Sequence, residues 1–344
     1  MLKKAITVNA PISKLSFNTC FGKIQGNPLV MHSSFHDSIA LRLDHSTRQF
    51  ETVPLQDLSW SIADAGTLYG AILVERFRTY GCALLDIADH KARLLHGASQ
   101  FAIDASSIAF DLVENSNRLL ESNRELVQRC GDVSVVVLLS PGEQLQKNAF
   151  GSRPTCMMHL SPLPFAKLAR WYTQGTDLSI GSYHAVPGCC WPNQIKSRSR
   201  LPYFLSDARA IATQSDSLAL LTTTRGSISD TSVANLLLVD GKGEFVSPPK
   251  DDILVGCTLQ SMERLLNTNS VQIHYRDIQT EEISRASEII LTGSSGGIWF
   301  AKSIDGKRIG SGGGRPKLRM LTELWKEHVG MDFVVQATTQ QSSG

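Results

Sequence analysis

The sequence predicts a chain of mixed α/β (α+β) class built as two domains. Three observations point there. With 344 residues, the chain is too long for one compact core and about right for two. A composition of 42% hydrophobic and 19% charged residues supplies apolar material for both cores. Short apolar runs of strand character alternate with longer stretches of helical spacing, and the break Ser161-Pro162-Leu163-Pro164 falls near the middle.

In chain order, Leu29-Val30-Met31 and residues 39–43 read as strands of an antiparallel sheet, with the polar stretch 45–51 as a loop. A turn from Gly66 leads into a strand carrying Leu73, Glu75, Phe77 and Thr79. Residues 86–101 stack Ile87, His90, Leu94 and Leu95 at helical spacing. A second helix spans 106–128, with Ser106 and Ser107 as candidate caps. The runs 133–140 and 155–160 read as buried strands. Together these make a smaller first domain, residues 1–161, followed by an interdomain linker at 162–176 where the prolines break regular structure.

The second domain, residues 177–332, opens with a strand at 178–185 and a helix at 203–213. Apolar strands at 218–223 and 234–239 flank a turn at Arg225-Gly226. Residues 251–266 enter a helix after Thr258, and 287–292 is a further buried strand. The glycines of 310–314 precede a last helix at 316–329. The polar end, residues 333–344, is expected to be a disordered tail.

Several classes are excluded on bulk grounds. A net charge of +2 gives no field for nucleic acid or an anionic membrane. No apolar run approaches the roughly 20 residues of a membrane span, and the first residues lack the apolar stretch of a secretory signal. Seven cysteines without regular spacing make no disulfide framework, and the adjacent pair Cys189-Cys190 lacks the spacing of a metal or redox site. The expectation is a cytoplasmic protein.

Four segments carry chemistry. Lys196 lies in Asn193-Gln194-Ile195-Lys196-Ser197, after a proline-bounded loop and before a helix. A lysine that forms an imine must sit in a partly desolvated site where its amine loses its proton easily; a surface lysine is the bland alternative. Asp230 falls in a Ser-Asp-Thr-Ser run that reads either as a turn or as a carboxylate for a pyridine nitrogen. Gly256-Cys257-Thr258 stands at a helix start, where free amides and a hydroxyl suit a phosphate as well as a cap. Residues 291–297, Leu-Thr-Gly-Ser-Ser-Gly-Gly, end a strand in small residues that let backbone amides approach an anion.

In this order, over roughly residues 64 to 321, these segments resemble the class IV aminotransferase family, pyridoxal-phosphate enzymes of fold type IV. The family includes branched-chain and D-amino-acid aminotransferases and aminodeoxychorismate lyases. Asp64 to Gly70 with Glu75 to Tyr80 is similar to its opening motif, and His90-Lys91-Ala92-Arg93-Leu94 to its next. The closing motif matches Ile304-Asp305-Gly306 with Ile309-Gly310. The resemblance implies the Schiff-base lysine at Lys196, with Asp230 at the pyridine nitrogen. Arg93, Cys257, Thr258 and Ser294 are implied at the phosphate. Tyr69 and Arg78 are implied in the substrate pocket. It also implies pyridoxal 5′-phosphate as cofactor, small-molecule amino acid and keto acid substrates, and a homodimer. Lys196 would then move protons as general base and acid.

The sequence departs from the family pattern at several positions. Asp230 stands for a glutamate, Leu259 for an arginine, Val74 for an aromatic residue, and Leu201 for a tyrosine of the branched-chain enzymes. Phe300-Ala301 stands for a proline-valine pair. Transamination is the first reading, a pyruvate-releasing lyase the second, and a non-catalytic relative the third.

Overall fold

The structure, a computed structural model, describes residues 35–103, 111–143, 153–310 and 314–341. The first domain is a six-stranded, wholly antiparallel sheet with helices on one face. Its elements are β1 (Ile39–Asp44), β2 (Gln49–Pro54), α1 (Ala65–Tyr69), β3 (Leu73–Tyr80), β4 (Ala83–Leu84), α2 (Ile87–Gln100), α3 (Leu112–Ser122), α4 (Arg124–Cys130), β5 (Val133–Ser140) and β6 (Thr155–Pro162). The strand order is β2-β1-β6-β5-β3-β4. Alternate residues Val133, Val135, Val137 and Leu139 of β5 join Leu73 and Phe77 of β3 in one core. Leu94 and Ala98 of α2 and Leu112 and Leu119 of α3 cover it. The intervening Val136 is buried as well, which is why β5 reads as an unbroken apolar run.

Helix α2 lies close against β3. A Cβ on Gly97 would come 2.9 Å from Leu73 Cδ2, so the glycine permits the approach that brings His90 and Arg93 over the strand.

Three local expectations change. The loop at 45–51 shrinks, because Gln49 already pairs with Asp44 in β2. The helix expected at 106–128 is two helices broken at Asn123, whose side chain bonds Ile39 N and O at 2.8 and 2.9 Å and Leu119 O at 2.8 Å, tying the break to β1. The cap of α3 is Asp111, which accepts from Val113 N at 2.9 Å and Glu114 N at 3.2 Å. Ser106, Ser107 and Leu29-Val30-Met31 lie outside the described residues.

The expected linker at 162–176 instead holds helix α5 (Phe165–Gln174). Its Leu168, Ala169 and Trp171 are core residues, and Trp171 stacks on Trp299 at 4.6 Å. Pro162 closes β6 and Pro164 stands at the N-cap of this helix, so the prolines mark the ends of elements rather than an irregular linker.

The rest of the chain forms a nine-stranded sheet from β7 (Thr176–His184), β8 (Leu218–Thr222), β9 (Ile228–Thr231), β10 (Asn235–Val239), β11 (Phe245–Ser247), β12 (Ile273–Tyr275), β13 (Glu288–Gly293), β14 (Gly297–Ile304) and β15 (Lys307–Arg308). Its order is β12-β11-β10-β13-β14-β7-β8-β9, with β15 on β14. Around it pack α6 (Leu201–Thr213), α7 (Cys257–Thr268), α8 (Thr280–Ile283), α9 (Pro316–Val329) and α10 (Phe333–Gln341). Leu236 and Leu238 of β10 face one core while Leu237 and Val239 face another, so both faces are buried and the strand is apolar throughout.

The expected disordered tail is a correction. Residues 333–341 are helical in α10, with Phe333 and Ala337 fully buried and Phe333 edge-on to Tyr172 at 5.1 Å. Two apolar residues four apart anchor the helix despite its polar composition.

Candidate active site

Lys196 sits on a loop fixed from two directions. Val74 N–H donates to Lys196 O at 2.9 Å and Arg198 N–H donates to Ile72 O at 2.8 Å, so the loop runs along β3 of the first sheet. On its other side Asn193 Nδ2 donates to Asp251 O at 2.6 Å and Gln194 Nε2 to Lys250 O at 2.8 Å. The half-buried residue has the pKa of its amine brought down to about 7, chiefly by burial and then by the charges of Arg93 and Arg200, against the opposing charge of Glu75. It lines a cleft of about 900 Å3, open mouth included, together with Arg93, Arg200, Tyr203, Asp230, Asn235, Gly256 and Ser294.

Arg93 reaches the cleft from α2. Its Nε and Nη2 each lie 2.8 Å from Glu75 oxygens, and Nη1 donates to Val255 O at 3.3 Å, in the turn before α7. Burial opposes the Glu75 charge, yet the carboxyl is held at about 2 by Arg93 first and His90 second. His90 Nδ1 lies 2.7 Å from Glu75 Oε2, and burial pushes its own pKa down.

Asp230 is buried on β9, where burial raises its pKa to about 6. Tyr203 Oη donates to Asp230 Oδ1 at 2.5 Å from α6. At the start of β10, Asn235 Nδ2 donates to Leu254 O at 2.8 Å and its Oδ1 accepts from Gly256 N at 2.9 Å, which shapes the turn into α7.

Two features of this region fit a phosphate-bearing ring compound. Helix α7 begins at Gly256 with no side-chain cap, so its first-turn amides are open to an anion. The buried Thr292 Oγ1, beside Gly293 and Ser294, has no hydrogen-bond partner among the described residues. A Cβ on Gly293 would run into Val233 O, so the strand end comes as near its neighbour as glycine allows.

A sequence model of the family described as amino-transferase class IV matches residues 72–304. The chain belongs to that family. The D-alanine aminotransferase of Bacillus licheniformis is 22% identical over 255 residues, covering 74% of this chain and 86% of the relative. Among solved structures, the branched-chain aminotransferase of Thermoproteus uzoniensis with norvaline superposes with a TM-score of 0.73 at 18% identity, covering 86% of this chain and 96% of the other. The 4-amino-4-deoxychorismate lyase of Pseudomonas aeruginosa gives 0.66 at 23% identity, over 80% and 97% of the two chains. The fold is that of the fold type IV pyridoxal-phosphate aminotransferases.

In this member of the class IV family the cleft brings together Arg93, Lys196, Asp230 and Ser294. Thr258 and Cys257 are buried in the first turn of α7, in a small pocket they share with Ser294. Burial pushes the Cys257 thiol up to about 12, so the side chain stays a neutral thiol rather than a thiolate.

Neither of the two residues expected in the substrate pocket lines the cleft that holds Lys196, although Arg78 does line the small pocket beside Cys257, Thr258 and Ser294. Tyr69 ends α1 with 70% exposure and does not line the cleft of its own chain. Arg78 is buried, with a hydrogen bond from each of its three guanidinium nitrogens. Its Nε donates to Thr79 O at 3.0 Å, Nη1 to Ser295 O at 3.3 Å, and Nη2 to Gln336 Oε1 at 2.9 Å beside Asp132 at 3.7 Å. A guanidinium held this way ties the first sheet to α10.

Sequence reasoning gave no role to Glu75, Tyr203 or Arg200. For Glu75 a signal existed: a charged residue at the same strand parity as Leu73 and Phe77 must find a buried cation. For Tyr203 there was none, since a tyrosine in a helix pattern reads as packing.

Proposed function

We propose that this class IV aminotransferase binds pyridoxal 5′-phosphate on Lys196 and transfers an amino group between an amino acid and a 2-keto acid. The observation that carries the reading is the Lys196 amine, with its pKa brought down to about 7 in a cleft that also presents Asp230 and the open start of α7. Such an amine is largely uncharged just above neutral pH and therefore nucleophilic.

The first-turn amides of α7, with Thr258 and Ser294, would hold the phosphate, and Arg93 adds positive charge behind them. Asp230 would meet the ring nitrogen. When bound, the cofactor supplies an electron sink for bonds broken at the substrate's α-carbon. Lys196 accepts a proton on Nζ from that carbon and returns it, a role that its near-neutral pKa suits in both directions. Glu75 keeps Arg93 in place, and the double tether of residues 193–198 keeps Nζ in place.

The reading extends to a two-fold homodimer. Leu68, Tyr69, Leu201 and Phe204, on segments bordering the cleft, are each more than half exposed, which supports a second copy covering them. Sedimentation of the purified protein tests this, and a monomer at micromolar concentration rejects it.

The main test is borohydride reduction of protein incubated with the cofactor, followed by peptide mapping and assays with and without a keto-acid acceptor. A label on Lys196 and acceptor-dependent amino transfer support the proposal. Pyruvate released without an acceptor makes the protein a lyase like its structural neighbour. No label on Lys196 leaves a fold that has lost its chemistry.

A further inference from the structure

The carboxylate at the ring-nitrogen end is an aspartate that does not act alone. Tyr203 Oη lies 2.5 Å from Asp230 Oδ1, and both side chains line the cleft. The tyrosine is itself held: the Arg200 guanidinium lies over its ring at 4.7 Å and also donates to Ser232 O, two residues after Asp230. Arg200, Tyr203 and Asp230 thus form one connected unit spanning the start of α6 and the end of β9. Among the described residues the Tyr203 hydroxyl has this single acceptor.

We propose that Tyr203 is a positioning residue, whose hydroxyl pins the Asp230 carboxylate toward the cleft so that this shorter acid can bind the pyridine nitrogen. The inference rests on the pyridoxal-phosphate reading. An aspartate has one methylene fewer than a glutamate, so its carboxylate has less freedom to search for the ring by changing rotamer. The hydroxyl on Oδ1, together with the Leu254 backbone N–H that also donates to this carboxylate, fixes the rotation of the group while leaving it acceptor capacity for the ring. It also favours the ionised form in a buried setting that otherwise disfavours it, as the upward shift of Asp230 shows. The Arg200 charge acts in the same direction.

The test compares binding of pyridoxal 5′-phosphate with binding of its carbocyclic analogue, in which C–H replaces the ring nitrogen. Affinity is read by quenching of protein fluorescence, without any turnover. Wild type is expected to prefer the true cofactor about tenfold or more, the scale of one charge-assisted hydrogen bond. Tyr203→Phe should cut that preference several-fold while leaving affinity for the analogue unchanged. The double variant Tyr203→Phe/Asp230→Glu should restore it, because the longer acid reaches the ring unaided. A purely structural Tyr203 would weaken both ligands equally and gain nothing from the exchange. An unchanged preference in Tyr203→Phe, with the label still on Lys196, overturns this inference alone. Failure of wild type to bind the cofactor at Lys196 overturns it together with the functional reading.

Discussion

Glu75 grips Arg93 with both carboxylate oxygens, Nε to Oε1 and Nη2 to Oε2, each at 2.8 Å. The pair joins a strand to the helix above it, with side-chain exposures of 1% and 9%. Glu75→Gln keeps the shape and removes the charge, leaving a buried guanidinium uncompensated. The expected loss is about 3–5 kcal/mol, read from urea unfolding followed by tryptophan fluorescence. The pH dependence has a definite sign. The folded carboxyl titrates at about 2 against an ordinary 4.5, so its stabilisation is complete above 4.5 and is lost as pH falls toward 2. The variant lacks this titration, and the two stability curves should converge in acid.

The Lys196 amine, at about 7 rather than 10.5, sets the pH profile of cofactor capture. Only the neutral amine attacks an aldehyde, so the rate of capture should rise about tenfold per pH unit below 7 and flatten above it. Stopped-flow absorbance checks this; a rate still climbing up to the ordinary lysine range would contradict the burial of the amine. For stability the sign is the reverse of an ion-paired lysine. Folding favours the neutral form, so this group's contribution improves as pH rises from about 7 to 10.5.

Much of this architecture is legible in the sequence where one residue pattern dictates one element. The apolar runs of β5 and β13 and the helical stacking of α2 stand where periodicity puts them. Strand β9 hides, because the buried Ser229 and Asp230 find their partners in distant segments, Asp252 and Tyr203, while its local sequence reads as a turn. Helix α10 hides for a related reason: its anchoring contacts, from Phe333 and Ala337 and from Gln336 to Arg78, are all long-range. At the site, single residues with a chemical identity, Lys196 and Arg93, are readable, whereas the pairs that hold them are properties of the fold.

Arg78 borders the small pocket of Cys257, Thr258 and Ser294, yet its hydrogen bonds run to the structure around it. Gln336 Oε1 accepts from Arg78 at 2.9 Å, while Gln336 Nε2 donates to Asp132 Oδ2 at 2.5 Å. Arg78→Met should therefore lower stability by about 3 kcal/mol, with KM for amino acid substrates changing less than about twofold in the cofactor-loaded enzyme. Truncation after residue 332 should produce a loss of the same kind, since it removes Gln336 with the buried Phe333 and Ala337. A large rise in KM with stability intact would return Arg78 to substrate recognition.

Gly256 and Asn235 act on the start of α7 as one unit. A Cβ at Gly256 would lie 2.5 Å from Asn235 Oδ1, so Gly256→Ala must push the amide away and break its bonds at 2.8 and 2.9 Å. Asn235→Ala removes the same bonds directly. Both variants free the turn that aims the first-turn amides, and each should weaken binding of inorganic phosphate, measured by calorimetry, by about tenfold. Because each change breaks the same two bonds, the double variant should be little worse than either single one. Additive losses would mean that Gly256 contributes through its own close approach to the anion, and not through the asparagine that shapes its turn.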